Sequence, residues 1–567
     1  MRKLLYLFLA FLPISASGQL LQAHSDEWGN IQIDTLEETI NSIEPRSTFS
    51  QLEGFPKAFV GASFKNFRNL TLADLNDDGA HEIITGINNK LYAFSAEGLL
   101  WERSLIGIAT YPPTVADIDG DGQLEIAVAT RGPADPGRLY LVDTEGKDLA
   151  GDWPKNFNGS WVLSAPVFSD LDGDGFMEII ATDLDRKVHL LQIDGSSYSE
   201  NWPQILENTP AVTPSVGDVD GDGKKEIVVF STQTQFVFNL DGSIADGYPI
   251  SVEGLRHSYQ SPILVDLNRD GELDIVSAGH GDAPEYFVRD GSGNYLEGWP
   301  QTVPMNQWTY TTPSLLEEEG SYEIFMSRRN GTEVAEMLYA WNEKGILSEN
   351  FPISKVAGLE GLISIADVDD DEMPELVFGS NSFVLDTETS FLHAYEMDGS
   401  GEVAGFPIQP KGWTYMNGAT IGDVNGDGSM DAVLLTYTQN FGASTDSTFI
   451  HVYDLGVPYS PRRVWWGTYK GSNSRDGNFG KVLSSNEFIQ LENEVKIFPN
   501  PTREILNIER GAMRFERIVL YDLLGQERQV FDKNTATINV SKMEKGLYLL
   551  VLFTSSGQQM TKRILID

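Results

Sequence analysis

Between residues 52 and 480 the chain repeats one hydrophobic–polar pattern with a period near fifty residues. A short apolar run that follows a proline, as at 113–116 and 214–217, leads into an acidic stretch. A β-branched run comes next: 125–129, 178–181 and 226–230 are almost entirely Ile, Val and Ala after a single acid. Runs this short and this apolar predict strands buried on both faces. A second run, such as 139–142, 190–193, 236–240 or 392–397, ends in an Asp-Gly or related turn suited to a tight hairpin. An aromatic-Pro pair then closes the unit: Phe55-Pro56, Trp153-Pro154, Trp202-Pro203, Tyr248-Pro249, Trp299-Pro300, Phe351-Pro352 and Phe406-Pro407. Proline lacks a ladder donor, so the pair belongs at a sheet edge, with its aromatic packed between neighbouring units. Four short strands per unit describe a blade that cannot bury both faces alone. Closing such blades in a ring covers their edges, which predicts an all-β fold, a β-propeller; an open solenoid is the alternative.

The polar half of the pattern is more specific. Seven times an acidic loop follows the first strand of a unit, with side-chain oxygens at its first, third, fifth and ninth positions. The sets are Asp74, Asn76, Asp78 and Glu82; Asp117, Asp119, Asp121 and Glu125; Asp170, Asp172, Asp174 and Glu178; Asp218, Asp220, Asp222 and Glu226; Asp266, Asn268, Asp270 and Asp274; Asp367, Asp369, Asp371 and Glu375; and Asp423, Asn425, Asp427 and Asp431. Glycine stands sixth in all but one, where Glu372 replaces it. A hard cation such as Ca²⁺ takes about six to eight oxygens, and this spacing gathers most of them in one tight turn that glycine permits. One isolated Asp-Gly turn is ordinarily a solvated turn; seven in phase point to as many as seven calcium sites. An EF-hand would need its last acid at position twelve and flanking helices, whereas β-like runs follow here. The step of 101 between Asp266 and Asp367 conceals one more unit at 312–324, whose loop has shrunk and lost the spacing. The count is eight blades, seven being the alternative. The segment 459–480, with Trp465, is expected to close the ring.

These units resemble FG-GAP repeats of the VCBS type, the calcium-loop blades also seen in integrin α-chain propellers, over roughly 52–480. The resemblance implies a propeller with Ca²⁺ held by the loop residues named above. The chain departs from the pattern at Glu372, at the position-nine aspartates Asp274 and Asp431, and in the shrunken unit near Glu317.

After a polar linker at 481–494, residues 495–567 alternate in short apolar strands, which predicts a small β-sandwich. Its opening Pro499-Asn500-Pro501, the Tyr521–Gly525 centre, the Gly546–Tyr548 strand and the basic Lys562-Arg563 ending resemble the type A sorting domain of type IX (Por) secretion. That resemblance implies the type IX secretion machinery as a partner, transit of the outer membrane of a Gram-negative bacterium, and removal of the domain. The chain's start reads as a signal peptide over 1–18: Arg2 and Lys3, an apolar run at 4–14 too short to span a bilayer, and small residues at 16–18 ahead of Gln19. Residues 19–51 are polar and lack the repeat, and 34–42 is compatible with a short helix. No later stretch is apolar enough to cross a membrane as a helix.

The net charge of −43 argues against nucleic acid and anionic membranes as partners, although the loop ligand positions alone hold 25 of the 83 acids. The absence of cysteine excludes disulfides and thiol chemistry. No nucleophile elbow, His-Glu-x-x-His helix or phosphate-cradling glycine loop occurs. The seven histidines, His24, His81, His189, His257, His280, His393 and His451, are scattered and read as packing residues. The expectation is therefore a calcium-stabilised, non-catalytic surface or secreted protein for adhesion or binding of a glycan or protein ligand. The alternative is a polysaccharide-active lyase or hydrolase on the same scaffold. The insertion at 279–285 and the stretch 306–310, with Trp308 and Tyr310, are the expected ligand-facing rim.

Overall fold

The computed structural model describes residues 20–25, 31–36, 49–479 and 495–566, apart from 61–65, 132–136, 158–163, 211, 303–310, 319, 328–333, 357–360, 383–388, 439–446, 510–514, 523–526, 532–534, 542, 544 and 555–558. The signal-peptide stretch, Trp308 and Tyr310 lie outside those residues. The chain divides into two units, Met1–Arg46 and Ser47–Asp567. The first holds a hairpin of Leu20–Ser25 and Ile31–Leu36. The helix expected from residue 34 is thus replaced by strand as far as Leu36. Ile31 and Ile33 alternate with Gln32 and Asp34, and that period of two is a strand's.

Among the described residues between Ser50 and Trp466, eight antiparallel sheets follow one another, here numbered as blades 1 to 8. Blade 1 shows the plan: Thr71–Ala73 innermost, then Glu82–Ile87, Lys90–Phe94 and Leu99–Ser104 outermost. Successive side chains of the second strand point to opposite neighbours. In blade 2, Ile126 and Val128 pack with Ile84 and Leu91 of blade 1, while Ala127 and Ala129 pack with Phe168 and Ile179 of blade 3. Both faces are therefore covered, which is why the sequence run is continuously apolar rather than alternating. The ring closes where Val433 and Leu435 of blade 8 pack with Leu72 and Ile83 of blade 1. Hydroxyls stitch the innermost strands in the same order. Thr71 donates to Pro113 O (2.6 Å), Thr114 to Pro166 O (2.6 Å), Ser215 to Pro262 O (2.6 Å), Ser314 to Ile363 O (2.7 Å), Ser364 to Ala419 O (2.6 Å) and Thr420 to Leu70 O (3.2 Å).

Blade 8 is completed from the other end of the repeat region. Its outer strands are Ser50–Gln51 and Lys57–Val60, both paired with Ser447–Pro458. The segment expected to close the ring does something else. Val464–Trp466 pairs inside blade 7 on Ile363–Ala366, and the chain then circles the central channel. Carbonyls of Gly467, Asn473, Ser474, Asp476 and Gly477 accept from Ile421, Val115, Phe168, Val216 and Leu264, one on each of five innermost strands. Those strands are the free inner edges of their sheets, and the segment satisfies their inward N–H groups. Arg475 is fully buried there, donating to Thr468 Oγ1, Tyr469 O, Ser472 O, Thr71 Oγ1 and Pro113 O, and buried Lys470 donates to Pro214 O and Ser215 Oγ.

All seven aromatic-Pro pairs are cis and lead into a blade's outermost run. Their aromatics span blade junctions: Trp153 Nε1 donates to Ile193 O, Trp202 Nε1 to Leu240 O and Trp299 Nε1 to Glu343 O, each in the next blade. The C-terminal strands form a three-stranded and a four-stranded sheet around Leu506, Ile518, Leu550 and Ile564. Asn500 clamps the last strand, its Nδ2 donating to Arg563 O and its Oδ1 accepting from Leu565 N.

Candidate metal loops and the opposite face

Each acidic loop connects the innermost strand of its blade to the second. Backbone donors turn the carboxylates inward. The ninth residue accepts from the second N–H in all seven: Leu75 to Glu82, Ile118 to Glu125, Leu171 to Glu178, Val219 to Glu226, Leu267 to Asp274, Val368 to Glu375 and Val424 to Asp431, at 2.7–3.0 Å. The sixth glycine bonds the outer oxygen of the first aspartate in six loops, as from Gly122 N to Asp117 Oδ2 at 3.0 Å. Gly122 sits at φ 89°, the left-handed region that favours glycine.

The Asp367 loop solves the same problem differently. Glu372 adopts φ 74°, and the Asp367 Oδ2 atom takes no hydrogen bond from it. That oxygen faces Arg463 Nη1 at 3.0 Å without hydrogen-bond alignment, and the same nitrogen lies 2.5 Å from Asp370 Oδ1.

In four loops three acids present ligand atoms within 4.8 Å of one another: Asp117, Asp119 and Glu125; Asp170, Asp172 and Glu178; Asp218, Asp220 and Glu226; Asp367, Asp369 and Asp371. In the loops with asparagine third, Asn268 and Asn425 donate to Asp270 and Asp427 at 2.8 Å, and Asn76 donates to Glu82 at 3.3 Å. At the shrunken unit Ser314–Glu318 and Ser321–Ser327 pair as far as Glu318 with Ser321, which leaves no length for a nine-residue loop.

The site chemistry fits a hard cation. Burial, followed by the neighbouring loop aspartates, pushes Glu82, Glu125, Glu178, Glu226, Asp274 and Asp431 up to about 7 and Glu375 to about 8, against the lowering by their backbone bonds. Glu375 Oε1 is buried with no hydrogen-bond partner among the described residues. All-oxygen donors that resist sharing one negatively charged pocket are what Ca²⁺ neutralises.

At the other end of the innermost strands, connections between blades converge. Phe67 lies edge-on to Tyr111 (5.7 Å between centroids) and to Tyr259 (5.6 Å), with Tyr415 at 6.3 Å. Phe67 enters blade 1 and Tyr259 enters blade 5 across the ring, so their contact marks the axis. Tyr469 of the channel segment packs beneath them. Sequence reasoning did not find this cluster. Its signal is an aromatic three to five residues ahead of an innermost strand, at 67, 111, 259 and 415. Of the expected rim, 279–281 is strand, paired with Leu255–Arg256, and only 282–284 forms a turn.

His257, His280, His393 and His451 are buried within the blades. His393 bridges Ser380 Oγ (2.8 Å) and Glu402 Oε1 (2.5 Å), a hydroxyl–imidazole–carboxylate chain, but Ser380 is only 1% exposed. The pairing recurs one blade on, from Thr436 Oγ1 to His451 Nε2 at 3.1 Å, which marks it as a packing element.

A closed all-β ring with acidic loops on one face and a short sandwich after it defines the class. Residues 117–181 and 170–229 match the FG-GAP-like repeat family, and 496–567 match the secretion system C-terminal sorting domain. The chain carries FG-GAP-like repeats and a sorting domain that sends it by type IX secretion to the cell surface or the medium. Among curated protein sequences none matches. Among solved structures, BamB from Moraxella catarrhalis aligns with a TM-score of 0.45 at 11% identity, over 73% of this chain and 100% of that one. The V. cholerae biofilm matrix protein Bap1 aligns at 0.36 and 14%, over 75% and 96%. A europium-containing methanol dehydrogenase aligns at 0.43 and 10%, over 71% and 94%.

Proposed function

We propose that this chain is a secreted binding or adhesion protein whose acidic loops hold calcium and whose opposite face meets the ligand. The 28 loop residues named at the outset are the metal ligands in this reading, and in four loops three acids already converge. FG-GAP-like repeats commonly bind calcium, and the raised acids of these loops need a cation before all can ionise. Residues 1–18 act as the signal peptide, 52–480 as the propeller, 481–494 as a linker and 495–567 as the sorting domain.

The observation that carries the binding reading is the meeting of Phe67, Tyr111, Tyr259 and Tyr415 from four separate connections at one axial point. Function on a rigid scaffold sits on such connections. The channel behind them is filled by 464–479, so a ligand is met at the face. Polysaccharides and surface proteins should be screened for retention and for release of reducing ends. Retention without release is expected. Release of reducing ends would replace the binding role by a catalytic one, and purified protein without calcium by elemental analysis would remove the metal reading.

A further inference from the structure

We propose that Arg463 is a positioning residue of the Asp367 loop, where its guanidinium takes the place of the sixth glycine's N–H, so that one metal site is completed from the channel segment; this rests on the calcium reading above and deepens it at one loop. In six loops the sixth glycine holds the outer oxygen of the first aspartate. Here the sixth residue is Glu372, and Asp367 Oδ2 takes no hydrogen bond among the described residues. Arg463 Nη1 stands at that same oxygen, 3.0 Å away. Asp370, fourth in the loop, keeps the nitrogen in place from the other side, with its Oδ1 at 2.5 Å.

A hydrogen bond must be aligned, whereas a charge attracts at this distance without alignment. Asp367 is fully buried, so the attraction is little screened by salt. With Oδ2 held, Asp367 Oδ1 accepts from Asp370 N at 2.8 Å, just as Asp117 Oδ1 accepts from Gly120 N at 2.8 Å. The first aspartate is thus held at both oxygens in both loops, and Asp367, Asp369 and Asp371 present ligand atoms within 4.8 Å of one another. Glu375 Oε1, fully buried and unpartnered among the described residues, is a further oxygen that a cation would satisfy.

Arg463 also opens the channel segment. Its carbonyl accepts from Asp367 N at 2.8 Å, and Val464–Trp466 follows directly, paired on Ile363–Ala366. The six other loops draw this holding donor from their own nine residues; the Asp367 loop draws it from a distant part of the chain. Calcium at this site and docking of the segment should therefore strengthen each other, because such coupling is reciprocal.

The test uses the full chain in calcium titrations followed by calorimetry. Asp369→Ala removes a ligand and identifies the Asp367 site in the titration. Arg463→Ala should weaken that site about tenfold and leave the others, as expected for loss of a group that orients a metal ligand. Arg463→Gln, a milder change that keeps more of the fold's packing, should act in the same direction. Adding Glu372→Gly to Arg463→Ala should recover the affinity, which a mere packing role would not allow. In the unaltered chain calcium should slow hydrogen exchange at 464–466, and Asp369→Ala should abolish that slowing. Unchanged binding in both Arg463 variants overturns the proposal. Tighter binding overturns it too, since the guanidinium would then be calcium's competitor. No recovery with Glu372→Gly makes Arg463 a packing residue and overturns it as well. Binding of no calcium by the unaltered chain would bring down the calcium reading with it, whereas each of the other failures leaves that reading standing.

Discussion

The innermost strands of the ring have two ends, and the two are built by opposite rules. At one end seven loops of nine residues each make their own pocket from local bonds, such as Ile118 N to Glu125 and Gly122 N to Asp117. At the other end no single connection makes anything; Phe67, Tyr111, Tyr259 and Tyr415 become a cluster only because the ring brings them together. Blade 6 sharpens the contrast. It lacks the acidic loop, yet Ile324, Phe325, Met326 and Trp341 sit in a buried cluster shared with blades 5 and 7. A blade is therefore held by its neighbours' apolar faces, and the acidic loop is an addition that binding can strengthen.

The largest effect should come from emptying the acidic end. Linkage contributes about 2.7 kcal/mol per site when free calcium is about 100 times Kd, less when extracellular-type sites are partly filled. Chelator should lower the melting temperature clearly, and Ca²⁺ should restore it better than Mg²⁺. An identical melting curve in excess chelator would falsify the metal reading. The chelated protein should also show a characteristic pH slope. Burial pushes Glu82, Glu125, Glu178 and Glu226 up to about 7 in the fold against 4.5 for the free side chain, so the metal-free fold holds protons that the unfolded chain has lost. Its stability should be greatest below about 4.5 as far as these groups decide it, and should fall as pH rises through about 7. With calcium bound that fall should disappear; equal slopes in the two states would contradict it.

Next in size is the channel segment that separates the two ends. Arg475→Ala removes the buried donors to Thr468 Oγ1, Thr71 Oγ1 and Tyr469 O, and of these the Tyr469 carbonyl loses the donor given for it. It should cost about 3 kcal/mol or more, with or without calcium, read by denaturant melts. A loss confined to the calcium-loaded protein would mean the segment depends on the loops.

Glu125→Gln touches one loop. The amide oxygen can still accept from Ile118, but one charge is gone. Stability in calcium should drop by up to about 2.7 kcal/mol, while the chelated protein should become slightly more stable as repulsion is relieved. Calcium titration should show one site weakened and the others intact. A drop of the same size in chelator would assign Glu125 a packing role.

The smallest effect belongs to the blade junctions. Trp202→Phe keeps most of the apolar contact and removes the bond to Leu240 O, costing about 1 kcal/mol. A change below the error of the melt would show that the indole N–H adds nothing there.

The repeat was legible because its determinants are local. Short apolar runs, Asp-Gly turns and aromatic-Pro pairs each lie within one unit, and the acid spacing within nine residues, so the propeller class and the candidate ligands could be read directly. The shrunken unit at 312–324 was legible for the same reason. The helix expected at 34–42 misread a short polar stretch whose alternation at Ile31 and Ile33 belongs to a hairpin.

What remained hidden depends on ring closure. Nothing in Ser50–Gln51 or Lys57–Val60 says that their partner lies about 400 residues away, in Ser447–Pro458. The segment 459–480 looks like a terminal strand until five innermost strands are present to accept its carbonyls as partners for their N–H groups. Arg463 beside Asp367 and Arg475 in the channel acquire meaning only from neighbours contributed by other blades. The sequence by itself determined the blade and its acidic loop, whose geometry nine consecutive residues can specify. The tertiary structure alone decided the seam, the filled channel and the axial cluster, because those require side chains from distant units to meet in one place.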